Sequence, residues 1–269
     1  QTLRNPLAID GPRGQHEGGA DDEALAQQGD VQAEPAPAQI DDLLGRARDM
    51  LQQTKFPQAA AFCQQVLDAD PKHKDALYTL AVTYRYQGDF KRALATNDHL
   101  IAMDPGFGRA YQERGHCLRD TGDRHGALMA YQGAVANNAA LVASWQMLSE
   151  LQRATGARAA AEFAKDQFDY LNGLPPELLS VANLIQEGRF LRAEQVCRHF
   201  LQTKGHNVEA MRFLAEIGTK FNSFEEAEFL LESCLVLEPD NTSAHLDYVD
   251  VLHKRQKFAK ALEQATALR

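Results

Sequence analysis

Apolar residues recur three and four places apart in "ALYTLAVTY" (76–84) and "AMRFLAEIG" (210–218), a spacing that lines them along one stripe of a helix. The stripes are short and punctuated. Glycine or asparagine follows at Gly88, Gly122, Gly156, Gly188 and Asn222, where a helix ends cheaply on a left-handed residue. Five places further on stand Ala93, Ala127, Ala161, Ala193 and Ala227, small enough to let a second helix cross close to the first. Proline then stops the second helix at Pro71, Pro105 and Pro239, because it donates no amide hydrogen and disfavours helix before it. The pattern predicts pairs of antiparallel helices.

The pairs repeat. Ala59, Ala93, Ala127, Ala161, Ala193, Ala227 and Ala261 are separated by steps of 34, 34, 34, 32, 34 and 34, and Pro71 and Pro105 again differ by 34. A fixed period of this length marks stacked helical hairpins. Units fall at roughly 40–73, 74–107, 108–141, 142–173, 174–207, 208–241 and 242–269, grouped as 40–173 and 174–269 behind an acidic Gly/Gln/Pro-containing tail or linker over 1–39. Within that tail "DDEALAQQ" (21–28) has the makings of a short helix. The fourth unit lacks a closing proline and ends two residues short of the period, before "GLPPELL" (173–179). Pro175 and Pro176 are expected to open the next helix there, with a change of superhelical phase. The seventh unit breaks off inside its second helix, so an apolar end around Leu252, Phe258 and Leu262, and self-association through it, are expected.

Leu77, Leu80, Ala81, Tyr84, Gly88, Ala93 and Pro105 together make a unit that resembles the tetratricopeptide repeat, over about residues 40–269. The resemblance implies an all-α, right-handed superhelical solenoid of about seven helix-turn-helix units, whose first helices line a concave groove for a protein or peptide. The later phrases "SWQMLSELQRATGARAAAEFAKDQ" (144–167), "LPPELLSVANLIQEGRFLRAEQVCRHFL" (174–201), "VEAMRFLAEI" (208–217) and "EEAEFLLESCLVLEPDNTSAHLDYVDVLHKRQK" (225–257) resemble the repeat region ahead of a sulfotransferase domain in bacterial proteins. In that group catalysis belongs to the downstream domain, and residues 1–269 contain none of its phosphate-binding loop. Two readings stand side by side: the interaction region of a larger sulfotransferase, and a free-standing adaptor with no catalytic domain.

Composition narrows the chemistry. With 269 residues, 44% hydrophobic and 24% charged, the chain has enough apolar side chains for one large domain or two small ones. Its net charge is −9, and residues 1–38 hold two arginines against seven carboxylates. An acidic chain without a Lys/Arg-rich run is a poor nucleic-acid binder. Cys63, Cys117, Cys197 and Cys234 lie too far apart for a metal motif and read as small buried hydrophobes in a reducing, cytoplasmic setting. No apolar run approaches the roughly 20 residues that span a bilayer. The phosphate-loop, nucleophile-elbow and zinc-protease motifs are absent, "GFG" (106–108) reads as an inter-repeat turn, and no catalytic residue, cofactor or metal is expected.

Mapping the chain onto the repeat places Arg48, Tyr78, Arg85, Tyr86, Gln112, His116, Arg119, Gln146, Glu150 and Arg153 on the groove in the first four units, and Arg212, Glu216, Lys220 and Asp250 in the last two. Arg85, Arg119 and Arg153 are 34 apart, although the repeat needs no arginine there and later units carry Ile185, Thr219 and His253. Two readings remain open. The three guanidiniums form one row that holds carboxylates or other anions, the acidic Glu17–Glu34 segment among them, or each pairs locally with Asp89, Asp120 or Asp123. Phe90, Phe190, Phe224 and Phe258, each three places before the repeat's alanine, are expected in the core.

Overall fold

The computed structural model describes residues 37–267 and the side chains of residues 39–266; the acidic tail and the short helix expected at 21–28 lie outside the described residues. The described residues belong to one compact unit, residues 36–269. They form seven helical hairpins: α1 (Pro37–Gln52) with α2 (Phe56–Ala69), α3 (Lys74–Tyr86) with α4 (Phe90–Met103), α5 (Gly108–Asp120) with α6 (Arg124–Asn137), and α7 (Val142–Ala154) with α8 (Arg158–Asn172). The last three pairs are α9 (Pro176–Gln186) with α10 (Phe190–Lys204), α11 (Val208–Lys220) with α12 (Phe224–Leu237), and α13 (Thr242–Lys254) with α14 (Phe258–Ala267). The fold is an all-α repeat.

Each hairpin turns on one left-handed residue. Gly88, Gly122, Gly156, Gly188 and Asn222 have φ of 76°, 88°, 81°, 71° and 60°, at the positions the sequence pattern predicts. Thr54 and Gln256, at 56° and 59°, make the same turn in the first and last hairpins without the residue type that advertises it. The next amide then reaches back to the helix it has left, as from Asp89 N to Tyr84 O (2.9 Å) and from Asp123 N to Leu118 O (2.8 Å). That bond satisfies a carbonyl the helix end would otherwise strand. Asp89 and Asp123 then cap α4 and α6, accepting the amides of Arg92 and Gly126.

The seven periodic alanines are all buried, so paired helices meet with little between their backbones. The phenylalanines correct the core expectation. Phe90, Phe190 and Phe224 are half-buried, and Phe258 is 57% exposed. Each begins a second helix at the mouth of its hairpin, where only part of the ring is covered, as by Phe221 against Phe190 (6.2 Å between centroids). The end of the solenoid differs from expectation in one residue: Leu252 is fully buried beneath α14, whereas Phe258 and Leu262 are exposed. All four thiols are free and buried, and burial pushes Cys63, Cys117 and Cys197 up to about 12 and Cys234 up to about 11.

Successive hairpins stack through the second helix of one and the first of the next, except at one joint. There α8 and α9 barely touch. Pro175 is extended (φ −52°, ψ 143°) and Pro176 opens α9, where the period shortens. α9 packs its apolar face on α10 and α11 through Leu178, Val181, Leu184 and Ile185. Its other face reaches back to the α6–α7 turn: Asn138 donates to Asn183 Oδ1 (3.2 Å), and Asn183 donates to the Ala140 carbonyl (3.3 Å).

Candidate functional site

The fold-back of α9 encloses a cleft of about 920 Å³. One wall comes from the first helices of units one to three, with Leu44 and Arg48 of α1, Tyr78 and Val82 of α3, and Arg109 and Gln112 of α5. The other wall is α9 and the start of α10, with Leu179, Asn183, Glu187 and Arg192. The cleft is half open, and polar and charged side chains outnumber the apolar ones along its lining, so a ligand there would be held by polar contacts as much as by apolar burial.

The polar groups have defined settings. Tyr78 stands edge-on to Phe107 (5.9 Å), and burial, with Glu113 nearby, pushes its hydroxyl up to about 12. Gln112 accepts a hydrogen bond from Ser144 Oγ (2.9 Å), which leaves its amide hydrogens for another acceptor. Arg48 and Asp75 pair at 3.3 Å with both side chains about half exposed, a contact worth roughly 0–1 kcal/mol. Arg109 Nη2 lies 2.6 Å from Glu187 Oε1, yet that buried oxygen accepts no hydrogen bond because the N–H does not point at it. Arg189 stands 3.9 Å from the other oxygen of Glu187.

Arg48, Tyr78 and Gln112 are therefore brought together, and the other predicted groove residues are not part of this cleft. Tyr86 stacks on Phe56 (5.9 Å) at the hairpin mouth. Gln146 donates to Glu150 (3.2 Å) along its own helix. In the later units Arg212 is held by Asp247 and Glu209, and Asp250 by Lys254. Burial raises Glu216 above the usual carboxylate range.

The arginines do not form a row of three open guanidiniums. Arg85 is 13% exposed, lies over the Tyr86 ring (4.4 Å), and donates from Nε to Oε1 of Glu113 at 2.5 Å, with Asp120 at 3.7 Å. Burial disfavours that cation, but its bond to Glu113 outweighs the effect and raises its pKa further. Arg119 is held by Asp120 (2.7 Å) and touches Met147 Sδ (3.2 Å). Of the three, only Arg153 is exposed with no ion pair among the described residues. Local pairing thus prevails, through Glu113 and Asp120, while Asp89 and Asp123 are occupied as helix caps. His116 sits in the same network, its Nδ1 2.8 Å from the Tyr131 hydroxyl. Burial, then Arg85 and Arg119, lower its pKa to about 4.

Sequence reasoning missed Arg109, Asn183, Glu187 and Arg192. The one signal near them was the shortened period at Pro175–Pro176, which marks where the stack breaks without saying what α9 then meets. It also missed Glu113, 2% exposed on a face expected to be wet. Among the described residues, no three His, Cys, Asp or Glu side chains converge as a metal site, and no helix is long and apolar enough to cross a membrane.

The tetratricopeptide repeat family model matches residues 50–113, from the end of α1 into α5, and the same two-helix unit continues through α14. Residues 50–113 thus match the tetratricopeptide repeat, and the described residues as a whole form an all-α repeat fold. No curated protein matches the chain. Among solved structures, pilF of Pseudomonas aeruginosa is 19% identical over 81% of this chain and 98% of that one (TM-score 0.47). TTC0263 of Thermus thermophilus is 16% identical over 79% and 98% (TM-score 0.40). The match to the Naa15/Naa10 structure with HypK-THB, 17% identical at a TM-score of 0.46, covers 85% of this chain and only 36% of that one.

Proposed function

We propose that this scaffold docks an extended segment of a partner protein in the cleft between α1, α3, α5 and α9. The observation that carries the reading is the cleft itself: about 920 Å³, with apolar floor residues such as Leu44, Val82 and Leu179 beside Gln112 and Asn183. Apolar side chains of the segment meet the apolar lining, and the amide hydrogens of Gln112 meet its backbone, Asn183 being occupied by Asn138, Ala140 and Leu179. Four arginines line the cleft against Asp41, Asp75 and Glu187, and with Arg48 paired to Asp75 the cationic excess gathers on the Arg109 and Arg189 side, which favours a segment with acidic side chains; the partner class is an acidic peptide or protein. The test is a peptide array read with the native protein and with a Val82→Arg, Leu179→Arg variant of unchanged helicity. Peptides that bind the native protein and lose the variant support the site; an identical set of binders for both removes the cleft from the account.

The phrases of units four to seven favour a further reading, in which the chain is the interaction region of a bacterial sulfotransferase and positions that enzyme on its partner. Coding sequence following residue 269 decides it. A phosphosulfate-binding loop supports the enzyme, and a polar capping helix with a stop codon supports a free-standing adaptor. Four buried thiols fit a reducing, cytoplasmic setting for either.

A further inference from the structure

The cleft wall formed by α9 is held in place by very little. Every other hairpin is joined to its predecessor by a stacked apolar interface, but α8 and α9 barely touch, and the connection between them runs through Gly173 and the extended Pro175. The polar ties across the joint are the Asn138–Asn183 and Asn183–Ala140 hydrogen bonds, the Arg109–Glu187 pair and, from α8 to α11, the Tyr170–Glu209 hydrogen bond, which lies next to the connection and so near the pivot. The pair is poorly made. Glu187 is 17% exposed, so its charge is largely removed from water, and its Oε1 accepts no hydrogen bond although Arg109 Nη2 is 2.6 Å away. A desolvated carboxylate with imperfect bonding contributes little net attraction. Arg189 stands 3.9 Å from the other oxygen of Glu187, giving two guanidiniums to this one carboxylate, and Arg192 lines the same cleft.

We infer that Arg109–Glu187 is an exchangeable latch: an acidic side chain of the docked segment takes the place of Glu187 on Arg109, and α9 with the units behind it pivots about residues 173–175 to admit the segment. This rests on the docking reading above and adds to it a residue that sets specificity and a motion that accompanies binding. Arg109 is chosen over the outer arginines because it sits on the opposite wall from Glu187, so exchanging its partner separates the walls. Arg189 pairs with Glu187 from the same side and moves with it.

The experiment uses the full chain with spin labels at Gln52→Cys on α1 and Gln202→Cys on α10, both exposed positions, in a protein whose native thiols are buried. The probes are a capped peptide of about a dozen residues alternating leucine and glutamate, long enough when extended to cross the cleft, and its leucine–glutamine counterpart. Glu187→Gln is expected to broaden the label distance towards longer values with no peptide present. It should also tighten the glutamate peptide by about two- to five-fold, the range of one modest ion pair, leaving the glutamine peptide unchanged. Arg109→Gln is expected to broaden the distance likewise and to abolish the preference for glutamate. If either variant keeps the native distance and Glu187→Gln keeps the native affinities, the latch is overturned while docking stands. If neither peptide binds any form, the docking reading falls and the exchange with it. A broadened distance in the unliganded variants would then show only that the pair holds α9.

Discussion

Protonating His116 should unfold this protein more than titration of an ordinary histidine. The imidazole lies between Arg85 and Arg119 and meets the Tyr131 hydroxyl, and burial with these two cations lowers its pKa from 6.5 to about 4. Asp120 opposes the shift without cancelling it. The sign follows from linkage: a base whose folded pKa is depressed binds its proton more readily when unfolded. Its neutral form therefore stabilises the fold fully above pH 6.5, and that contribution is lost as pH falls from 6.5 towards 4. Between pH 7 and pH 4.5 the loss comes to about 2 kcal/mol, taking about 1.4 kcal/mol for each unit of pKa difference across the window. Other groups titrate there, including Glu113, raised by burial against the pull of Arg85, so the wild-type slope alone is not diagnostic. The assay is urea unfolding followed by circular dichroism at both pH values, for wild type and His116→Gln, which keeps a hydrogen-bonding partner for Tyr131 but does not titrate. The variant is expected to lose about 2 kcal/mol less than wild type on acidification. Equal losses in the two proteins would falsify the burial argument for His116.

Four further outcomes are expected. Glu113→Leu leaves Arg85 buried beside only the more distant Asp120 and should destabilise by about 3 kcal/mol or more, whereas the Arg85→Met, Glu113→Leu double variant should recover much of this in a urea titration. In Gly115→Ala the new methyl carbon would stand 2.7 Å from the Tyr131 ring, so a loss of about 1–3 kcal/mol is expected by thermal melting. Thr54→Gly should stabilise the fold by about 0.5–1 kcal/mol, read as a higher urea midpoint, because a β-branched residue is strained at φ 56°. Leu246, Phe258 and Leu262 are each more than half exposed on the last hairpin, and Leu262→Lys should lower any association seen by light scattering at high protein concentration.

The sequence by itself determined the hairpins, their number and five of their seven turns. It could do so because each unit repeats the same contacts with its neighbour: Gly88, Gly122 and Gly156 meet one backbone demand, and Ala93, Ala127 and Ala161 one demand for close approach. Thr54 and Gln256 escaped because the surrounding hairpin imposes the same left-handed turn on residues that do not favour it. The arginines show where period stops being informative. A guanidinium at a repeated position has several carboxylates within reach, and which one it takes depends on burial: Arg85 is drawn to Glu113, 28 residues away, because both lie under neighbouring helices. The cleft lay further still from legibility. It exists because α9 leaves α8 and meets the α6–α7 turn, joining Asn138 to Asn183 across 45 residues. A periodic signal records what each unit does to the next one; a contact made once, between units that are not neighbours, leaves no period to read, and only the tertiary structure decides it.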